Sequence, residues 1–349
     1  MNVSISDKLT IIITGGCGFI GSHTCVELSK NFELVIIDNL NNSSQQSLRK
    51  VEEITSKSVI FYQEDLLNLD KIDSIFAKHQ PYAVIHFAGL KSVGESIQNP
   101  LFYYQNNLNS TLNLLEVMKK YKCFNLIFSS SATVYGNHQS PLNEKMDIGQ
   151  GVTNPYGQTK FMIERILRDV CVSQDQWTII SLRYFNPVGA HPSGLIGENP
   201  NDIPNNLMPY ILKVAINNNT KTNLGKQFDQ LKIFGSDYNT TDGTCERDFI
   251  HVVDLARGHL SALQKMNQLT GYHVFNLGTG KPYSVLQLVT TFEKVNQVKI
   301  PYLLYHPRPG DLEVCYCDPE YTQKILDWTT EKTLEDMCVD AWKFQKLNP

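Results

Sequence analysis

The stretch that decides the fold reads Leu9-Thr10-Ile11-Ile12-Ile13-Thr14-Gly15-Gly16-Cys17-Gly18-Phe19-Ile20-Gly21. Its apolar run does not alternate with polar residues, which is typical of a parallel strand covered by helices on both faces. Gly15, Gly18 and Gly21 have the spacing G-x-x-G-x-x-G and open a helical pattern that extends to Lys30. This spacing permits a tight turn, close approach of the backbone to a pyrophosphate and close packing of helix on strand. The stretch therefore predicts a dinucleotide site with its phosphates at the helix N-terminus.

Apolar strands continue to alternate with helical segments as far as Pro187. The predicted strands are Leu34–Asp38, Val59–Tyr62, Ala83–Gly89, Asn125–Phe128 and Trp177–Arg183, and the two longest helices are Pro100–Tyr121 and Tyr156–Cys171. Such alternation predicts an α/β fold with a doubly wound parallel sheet, the Rossmann type. After Pro187 the chain becomes rich in glycine, proline and asparagine. We therefore predict a nucleotide-binding domain over residues 1–187 and a smaller C-terminal substrate-binding domain over 188–349, with segments such as Val274–Gly278 returning to the main sheet.

Asp38 ends the second predicted strand, where a carboxylate can accept hydrogen bonds from the hydroxyls of an adenosine ribose. The following residues, Asn39–Asn42, include no arginine that could hold a 2′-phosphate. Because a carboxylate repels such a phosphate, the sequence favours NAD over NADP, although Asp38 could also be a helix cap. Asp65, after the third strand, could accept a hydrogen bond from the adenine amino group or cap the next helix, and both interpretations stay open.

A proton-handling set is predicted from Ser131, Tyr156 and Lys160. The serine follows a buried strand, at the end of the sheet where α/β proteins bind ligands. Tyr156 and Lys160 are four residues apart and share one helix face. A tyrosine that acts as a base at pH 7 needs a pKa about 3 units below its usual ~10, or ~4 kcal/mol. One cation ~4 Å away supplies a similar amount at an effective dielectric constant of ~20. Without this context, Tyr-x-x-x-Lys is more often a surface pair.

Composition narrows the partners and the location. The net charge is −4, the pI is about 6.1 and no basic block occurs, so neither nucleic acid nor a membrane is expected as a partner. No apolar run reaches ~18 residues and the N-terminus is polar, so we expect a cytoplasmic protein. The eight cysteines are scattered without a Cys-x-x-Cys motif, which predicts reduced thiols and no metal site.

Longer blocks resemble the UDP-glucose 4-epimerase family of the extended short-chain dehydrogenase/reductase superfamily. Besides the glycine spacing, Tyr156 and Lys160, the blocks are His86–Ser96, Ser129–Gly136, Arg183–Gly194, Ile203–Tyr210 and Arg247–Val252. The resemblance extends from Leu9 to about Ala341. It implies an NAD-dependent isomerase that interconverts UDP-glucose and UDP-galactose by transient oxidation at C4 of the sugar. It also implies a homodimer formed through the two long helices.

The resemblance assigns a role to each matching position. Tyr156 would be the catalytic base, Lys160 its partner and Ser131 the hydrogen-bonding serine. The residues implied to bind NAD are Gly15, Gly18, Phe19, Ile20, Gly21, Asp38, Asn39, Asp65, Leu66, Phe87, Ala88, Gly89, Lys91, Asn106, Ser129, Tyr156, Lys160 and Tyr184. Those implied to bind the UDP-sugar are Lys91, Ser131, Tyr156, Phe185, Asn186, Asn206, Leu207, Phe234, Arg247, Arg308, Asp311 and Cys315. Phe249 departs from the family, where tyrosine is common.

Cys315 bears on the range of sugars. It falls where family members restricted to glucose and galactose have tyrosine and where those that accept N-acetyl sugars have a smaller residue. A cysteine leaves space for a 2-acetamido group, so we expect activity on UDP-N-acetylglucosamine and UDP-N-acetylgalactosamine as well. The alternatives are that Cys315 only packs, or that Tyr316 fills the space, since neighbouring strand residues face opposite ways.

Three other functions compete. A nucleotide-sugar 4,6-dehydratase needs an additional acid, usually an Asp-Glu pair before Val134, and Ala132 and Thr133 stand there instead. A non-catalytic NAD-sensing or scaffold protein typically lacks the tyrosine or the lysine, and both are present. An epimerase of UDP-glucuronate or a UDP-pentose often has a membrane anchor, which this sequence does not show.

Overall fold

A sheet of seven parallel strands forms the centre of the computed structural model, which describes residues 8–200, 204, 206–220, 224–308 and 310–348. The strands are β1 (Thr10–Thr14), β2 (Glu33–Ile37), β3 (Ile60–Tyr62), β4 (Ala83–His86), β5 (Asn125–Ser131), β6 (Thr178–Tyr184), β7 (Asn186–Val188), β8 (Leu231–Phe234), β9 (Glu246–His251), β10 (Gly271–Leu277), β11 (Pro282–Ser284), β12 (Tyr302–Tyr305) and β13 (Val314–Cys315). The α-helices are α1 (Phe19–Leu28), α2 (Gln46–Thr55), α3 (Leu69–His79), α4 (Val93–Gln98), α5 (Pro100–Lys120), α6 (Pro155–Ser173), α7 (Leu207–Asn219), α8 (Val252–Lys265), α9 (Val285–Asn296), α10 (Glu320–Leu326) and α11 (Leu334–Leu347).

The strand order β10-β6-β5-β4-β1-β2-β3 confirms the predicted doubly wound sheet. The chain builds β1, β2 and β3 outward and then returns to place β4 on the other side of β1. This reversal leaves a crevice at the carboxyl ends of β1 and β4, which is where such sheets bind ligands. Of the predicted segment Val274–Gly278, residues 274–277 lie in β10, which pairs with β6 in this sheet.

Helices cover both faces of this sheet, as the unalternating strands predicted. Ile11 and Ile13 of β1 pack in a core with residues of α1, α2 and α8, while Ile12 packs in a second core with residues of α3, α5 and α6. The three isoleucines are fully buried. The long helices α5 and α6 therefore lie together on one face, and α6 brings Tyr156 and Lys160 to the end of β5.

The remaining strands belong to the C-terminal part. A small sheet has the order β11-β9-β13, with β7 also paired to β9, and β8 pairs with β12. Residues of α7, α9 and α11 form the core of the C-terminal part. Of the block Ile203–Tyr210, residues 203 and 205 lie outside the described part of the chain. None of the helices in the described ranges has the length and apolar character needed to cross a membrane.

Candidate active site

The glycine loop between β1 and α1 is built around two close backbone approaches. Gly15 has φ +71°, and a Cβ there would lie 2.7 Å from the backbone nitrogen of Ala88. A Cβ on Gly21 would lie 2.4 Å from the carbonyl oxygen of Gly15. Helix α1 begins after Gly18 with no side-chain cap and no acidic residue in its first turn. Its N–H groups therefore remain suited to a phosphate.

Asp38 lies beside this loop and is 7% exposed. Its Oδ2 accepts a hydrogen bond from the Cys17 backbone at 2.9 Å, and its Oδ1 accepts from the Leu40 backbone at 2.9 Å and from Ser43 Oγ at 2.8 Å. Helix α2 begins only at Gln46, so Asp38 does not cap it. Its carboxylate is thus fixed at the edge of the crevice, where the sequence predicts a ribose.

Asp65 lies next to Asn39, whose Nδ2 donates to Asp65 Oδ2 at 2.8 Å. The other carboxylate oxygen accepts from the Leu67 backbone at 2.8 Å. The N-cap of α3 is Asn68, so the interpretation of Asp65 as a helix cap is wrong. Leu66 follows as a buried residue, and the Asn39 hydrogen bond joins the chain after β2 to the chain after β3.

The other predicted cofactor residues continue along the crevice. Phe87, Ala88 and Gly89 follow β4, and Asn106 lies on α5, where its Nδ2 donates to Asn107 Oδ1 at 3.1 Å. Tyr184 ends β6, and its hydroxyl lies 2.5 Å from His259 Nε2. Because His259 Nδ1 donates to the Leu255 carbonyl at 2.8 Å, its Nε2 accepts the hydrogen bond that the Tyr184 hydroxyl donates. His86 is a buried core residue, held between Thr14 and Thr111.

The predicted proton-handling set meets at the carboxyl end of β5. The Asn154 side chain caps α6 by accepting from the Gly157 backbone at 2.8 Å, which fixes the first turn that carries Tyr156. Lys160 Nζ donates to the Ser129 carbonyl at 2.6 Å and lies 5.9 Å from the centre of the Tyr156 ring. Ser131 Oγ accepts from Thr133 Oγ1 at 3.0 Å and is near enough to the Tyr156 phenol to lower its pKa.

Burial dominates the electrostatics of this set. It lowers the pKa of Lys160 to about 8, against the opposing effect of the Glu164 carboxylate. Burial also raises the pKa of Tyr156 above its usual value, and the Ser131 contact only partly offsets this. The chain alone therefore does not produce the lowered tyrosine pKa that a base needs, and a further positive charge is required.

The predicted nucleotide residues gather in the C-terminal part. Arg308 Nε donates to Asp311 Oδ2 at 2.8 Å, and its guanidinium lies 5.1 Å from the centre of the Phe234 ring. Burial raises the pKa of Tyr238, Asp311 adds to the rise, and Arg247 and Arg308 oppose it. The buried Tyr238 hydroxyl has no hydrogen-bond partner among the described residues. Sequence reasoning missed Tyr238, because a tyrosine in a polar loop carries no signal.

Lys91 and Asn206 meet at a residue that sequence reasoning also missed. Glu198 Oε1 accepts from Lys91 Nζ at 3.1 Å and from Asn206 Nδ2 at 2.7 Å. Asn206 immediately precedes α7, which begins at Leu207. Lys91 follows β4, so this ion pair joins the nucleotide-binding side of the crevice to the C-terminal part.

Three of the predicted sugar residues, Phe185, Asn186 and Cys315, have uncharged side chains. Phe185 is buried in a cluster with Val134 and Tyr135, against which Cys315 packs. Asn186 is exposed on β7, and Cys315 on β13 is in register with Arg247 on β9. Burial raises the pKa of the Cys315 thiol to about 11, so it is not a nucleophile near pH 7. Tyr316 is not part of this cluster. That Cys315 rather than Tyr316 lines the sugar site stays a prediction.

In protein freed of nucleotide, we expect Tyr156 to remain a phenol up to at least pH 9, because burial raises its pKa. The measurement is the tyrosinate absorbance at 295 nm of the wild type minus that of Tyr156→Phe. Addition of an oxidised nicotinamide cofactor should move the titration of Tyr156 to lower pH. A difference spectrum that already shows tyrosinate at pH 7 without cofactor would contradict this electrostatic account.

Comparisons with known proteins identify the family. Residues 11–278 match the model of the NAD dependent epimerase/dehydratase family. The chain is 53% identical over 342 residues to the UDP-glucose 4-epimerase of Bacillus subtilis (97% of this chain, 98% of that protein). It is 50% identical over 347 residues to the one of Homo sapiens (97% of each chain). The crystal structure of the Bifidobacterium longum UDP-glucose 4-epimerase in complex with NAD+ and UDP superposes with a TM-score of 0.91 at 47% identity, covering 97% of this chain and 99% of that one. The chain therefore belongs to the NAD dependent epimerase/dehydratase family and, within it, to the UDP-glucose 4-epimerases.

Proposed function

We propose that this chain interconverts UDP-glucose and UDP-galactose as an NAD-dependent isomerase that oxidises C4 of the sugar transiently. Membership of the UDP-glucose 4-epimerases supports the reaction. The observation that carries it is the placement of Ser131, Tyr156 and Lys160 at the end of a crevice that opens at the glycine loop. The crevice fits NAD: an uncapped helix N-terminus for the pyrophosphate and the fixed Asp38 carboxylate for a ribose.

Each residue of the set then has a distinct task. Tyr156 takes the proton of the sugar 4-hydroxyl and later returns it, and Ser131 aligns that hydroxyl. Lys160, held by the Ser129 carbonyl, contributes a positive charge that favours the phenolate. NAD, when bound, supplies the hydride chemistry at C4 and a positive nicotinamide ring. That ring is the further charge that the raised pKa of Tyr156 requires.

Epimerisation also requires the sugar to rotate between its oxidation and its reduction at C4. The assigned nucleotide residues suit a firm grip, because Arg247 and Arg308 can bind a diphosphate through paired hydrogen bonds and Asp311 can accept from a ribose hydroxyl. The side chains of Phe185, Asn186 and Cys315 carry no charge at neutral pH. A firm hold on UDP and a weak hold on the sugar are what such a rotation needs. No carboxylate stands at Ala132 or Thr133, which disfavours a dehydratase.

We further propose that residues 1–187 form the NAD-binding domain and 188–349 the UDP-sugar-binding domain, apart from β10, which lies in the main sheet. A homodimer through α5 and α6 is supported by apolar side chains exposed on these helices, including Leu101, Leu112, Met162 and Val172. A cytoplasmic location is supported by eight free cysteine thiols.

For the reaction, Tyr156→Phe should lower kcat by at least about 10²-fold, because it removes the base and keeps the ring. The assay follows UDP-glucose formed from UDP-galactose without added cofactor, and the denatured protein should release NAD rather than NADP. Tyr82→Phe is the matched control, since it removes a surface hydroxyl that donates to Asn267. Near wild-type turnover in Tyr156→Phe would refute the assignment of the base.

For the sugar range, we expect the wild type also to interconvert the two UDP-N-acetylhexosamines. Cys315→Tyr should abolish that activity and largely preserve the glucose/galactose reaction, because the ring fills the space of the acetamido group. Cys315→Ser keeps the side chain small and should retain both activities. Product ratios from both substrate pairs test this, and a wild type inert toward the N-acetyl pair would show the Cys315 hypothesis to be wrong.

For the homodimer, Leu112→Glu should produce a monomer, because it places a charge in the middle of the proposed apolar interface. Val339→Glu on α11 is the control, since Val339 is exposed to a similar extent, 43% against 42%. Light scattering coupled to size exclusion gives the mass of each variant. A wild type that elutes as a monomer, or a Leu112→Glu variant that remains dimeric, speaks against this interface.

A further inference from the structure

A buried ion pair lies directly behind the predicted proton-handling set. Arg183 on β6 binds Glu164 on α6 through two hydrogen bonds, Nε to Oε1 at 2.9 Å and Nη2 to Oε2 at 2.6 Å. Both side chains are only 2% exposed. Burying two charges costs several kcal/mol per ion, and well-packed apolar residues in such places are often as stable or more so. Folding stability alone therefore does not explain why this ion pair is buried here.

The Glu164 carboxylate contacts three strands at once. Oε1 also accepts from Ser130 Oγ on β5 at 2.5 Å, and Oε2 lies 3.2 Å from the Tyr272 hydroxyl on β10. In the register of β5 and β6, Ser130 lies opposite Arg183 and Ser131 lies opposite Tyr184. The carboxylate thus ties α6 to the ends of the strands that carry Ser131 and Tyr184.

Ser130 is the link that matters for the site. Its neighbours are Ser129, whose carbonyl accepts from Lys160, and Ser131, whose hydroxyl is near Tyr156. Because neighbouring strand residues face opposite ways, a bond at Ser130 holds the strand without occupying the site. Glu164 comes one helical turn after Lys160, so the strand is bound to α6 at both positions.

Arg183 is itself held in place. Its guanidinium lies 4.8 Å from the centre of the Tyr135 ring, and the Tyr135 hydroxyl donates to Asn276 Oδ1 at 2.7 Å. Tyr135 belongs to the cluster that includes Phe185 and contacts Cys315. Arg183 binds Glu164 directly, whereas Lys160 is the cation that lies beside Tyr156.

We propose that Glu164 is a positioning residue for the reaction, which acts through Ser130 to fix the Ser129 carbonyl and the Ser131 hydroxyl relative to Tyr156 and Lys160. This inference rests on the proposed function. It assigns the ion pair to the alignment of the proton-transfer set, not to substrate binding. The loss of the link should therefore reduce kcat and leave the KM for the UDP-sugar unchanged.

The test compares Ser130→Ala with Ser181→Ala, which keep the ion pair intact. Ser181 is the matched control, because it is buried and bonds to Tyr272 of the same network at 3.0 Å. It lies on β6 opposite Phe128, three residues before Tyr184, and makes no hydrogen bond to Glu164 among those of the described residues. We expect Ser130→Ala to lower kcat by about 10-fold or more, since misplacement by ~1 Å can cost ~10²-fold. Its KM should stay within about twofold, and Ser181→Ala should keep wild-type kcat and KM. Thermal unfolding should show similar midpoints for the two variants.

Wild-type kcat in Ser130→Ala would overturn the positioning role, and so would an equal loss of kcat in both variants, which would indicate general destabilisation. Turnover of UDP-galactose by the wild type is measured in the same series. A wild type without this turnover would contradict the proposed function itself, whereas an active wild type with an unaffected Ser130→Ala variant would contradict this inference alone.

Discussion

The hydrogen bond from Lys160 Nζ to the Ser129 carbonyl is the interaction on which the site depends. It joins α6 to the carboxyl end of β5 at 2.6 Å, and so fixes Tyr156 relative to Ser131. Burial favours the neutral amine over the ammonium, and it lowers the pKa of Lys160 to about 8. The Ser129 carbonyl and the nearby Glu164 carboxylate stabilise the charged form of Lys160 against this effect of burial. The same burial raises the pKa of Tyr156, so the site becomes fully competent only with its cofactor.

Different regions of the fold suit the cofactor, the nucleoside diphosphate and the sugar. The parallel sheet offers a crevice at the reversal between β1 and β4, and the glycine loop brings backbone N–H groups to it without side chains in the way. In the C-terminal part, Arg247 lies on β9, and Arg308 and Asp311 lie between β12 and β13. Their charges suit a nucleoside diphosphate. Three of the residues proposed to contact the sugar, Phe185, Asn186 and Cys315, are uncharged. The arrangement explains how one face of a sugar, and then the other, can be presented to the same tyrosine.

The sequence predicted what depends on local patterns and missed what depends on distant contacts. Unalternating strands, the glycine spacing and the four-residue separation of Tyr156 and Lys160 are local, and they led to the sheet and the site. Glu198 and Glu164 have partners more than 100 residues away in the chain, Lys91 and Tyr272, so no short pattern marks them. Tyr238 lies in a polar loop that carries no signal. The raised pKa of Tyr156 could not be predicted from the sequence either, because the sequence shows the neighbouring cation but not how deeply the phenol is buried. Asp65 was ambiguous until α3 proved to be capped by Asn68.

The central claim is that Tyr156 handles only the hydroxyl proton, while the hydrogen on C4 leaves and returns without meeting water. The most direct measurement uses UDP-galactose with deuterium at C4, converted by the wild type in ordinary water. We expect the UDP-glucose product to retain the deuterium at C4 when it is analysed by NMR or mass spectrometry. Loss of the label to solvent, at a rate comparable to turnover, would mean that a side chain removes the C4 hydrogen as a proton, and would contradict the account.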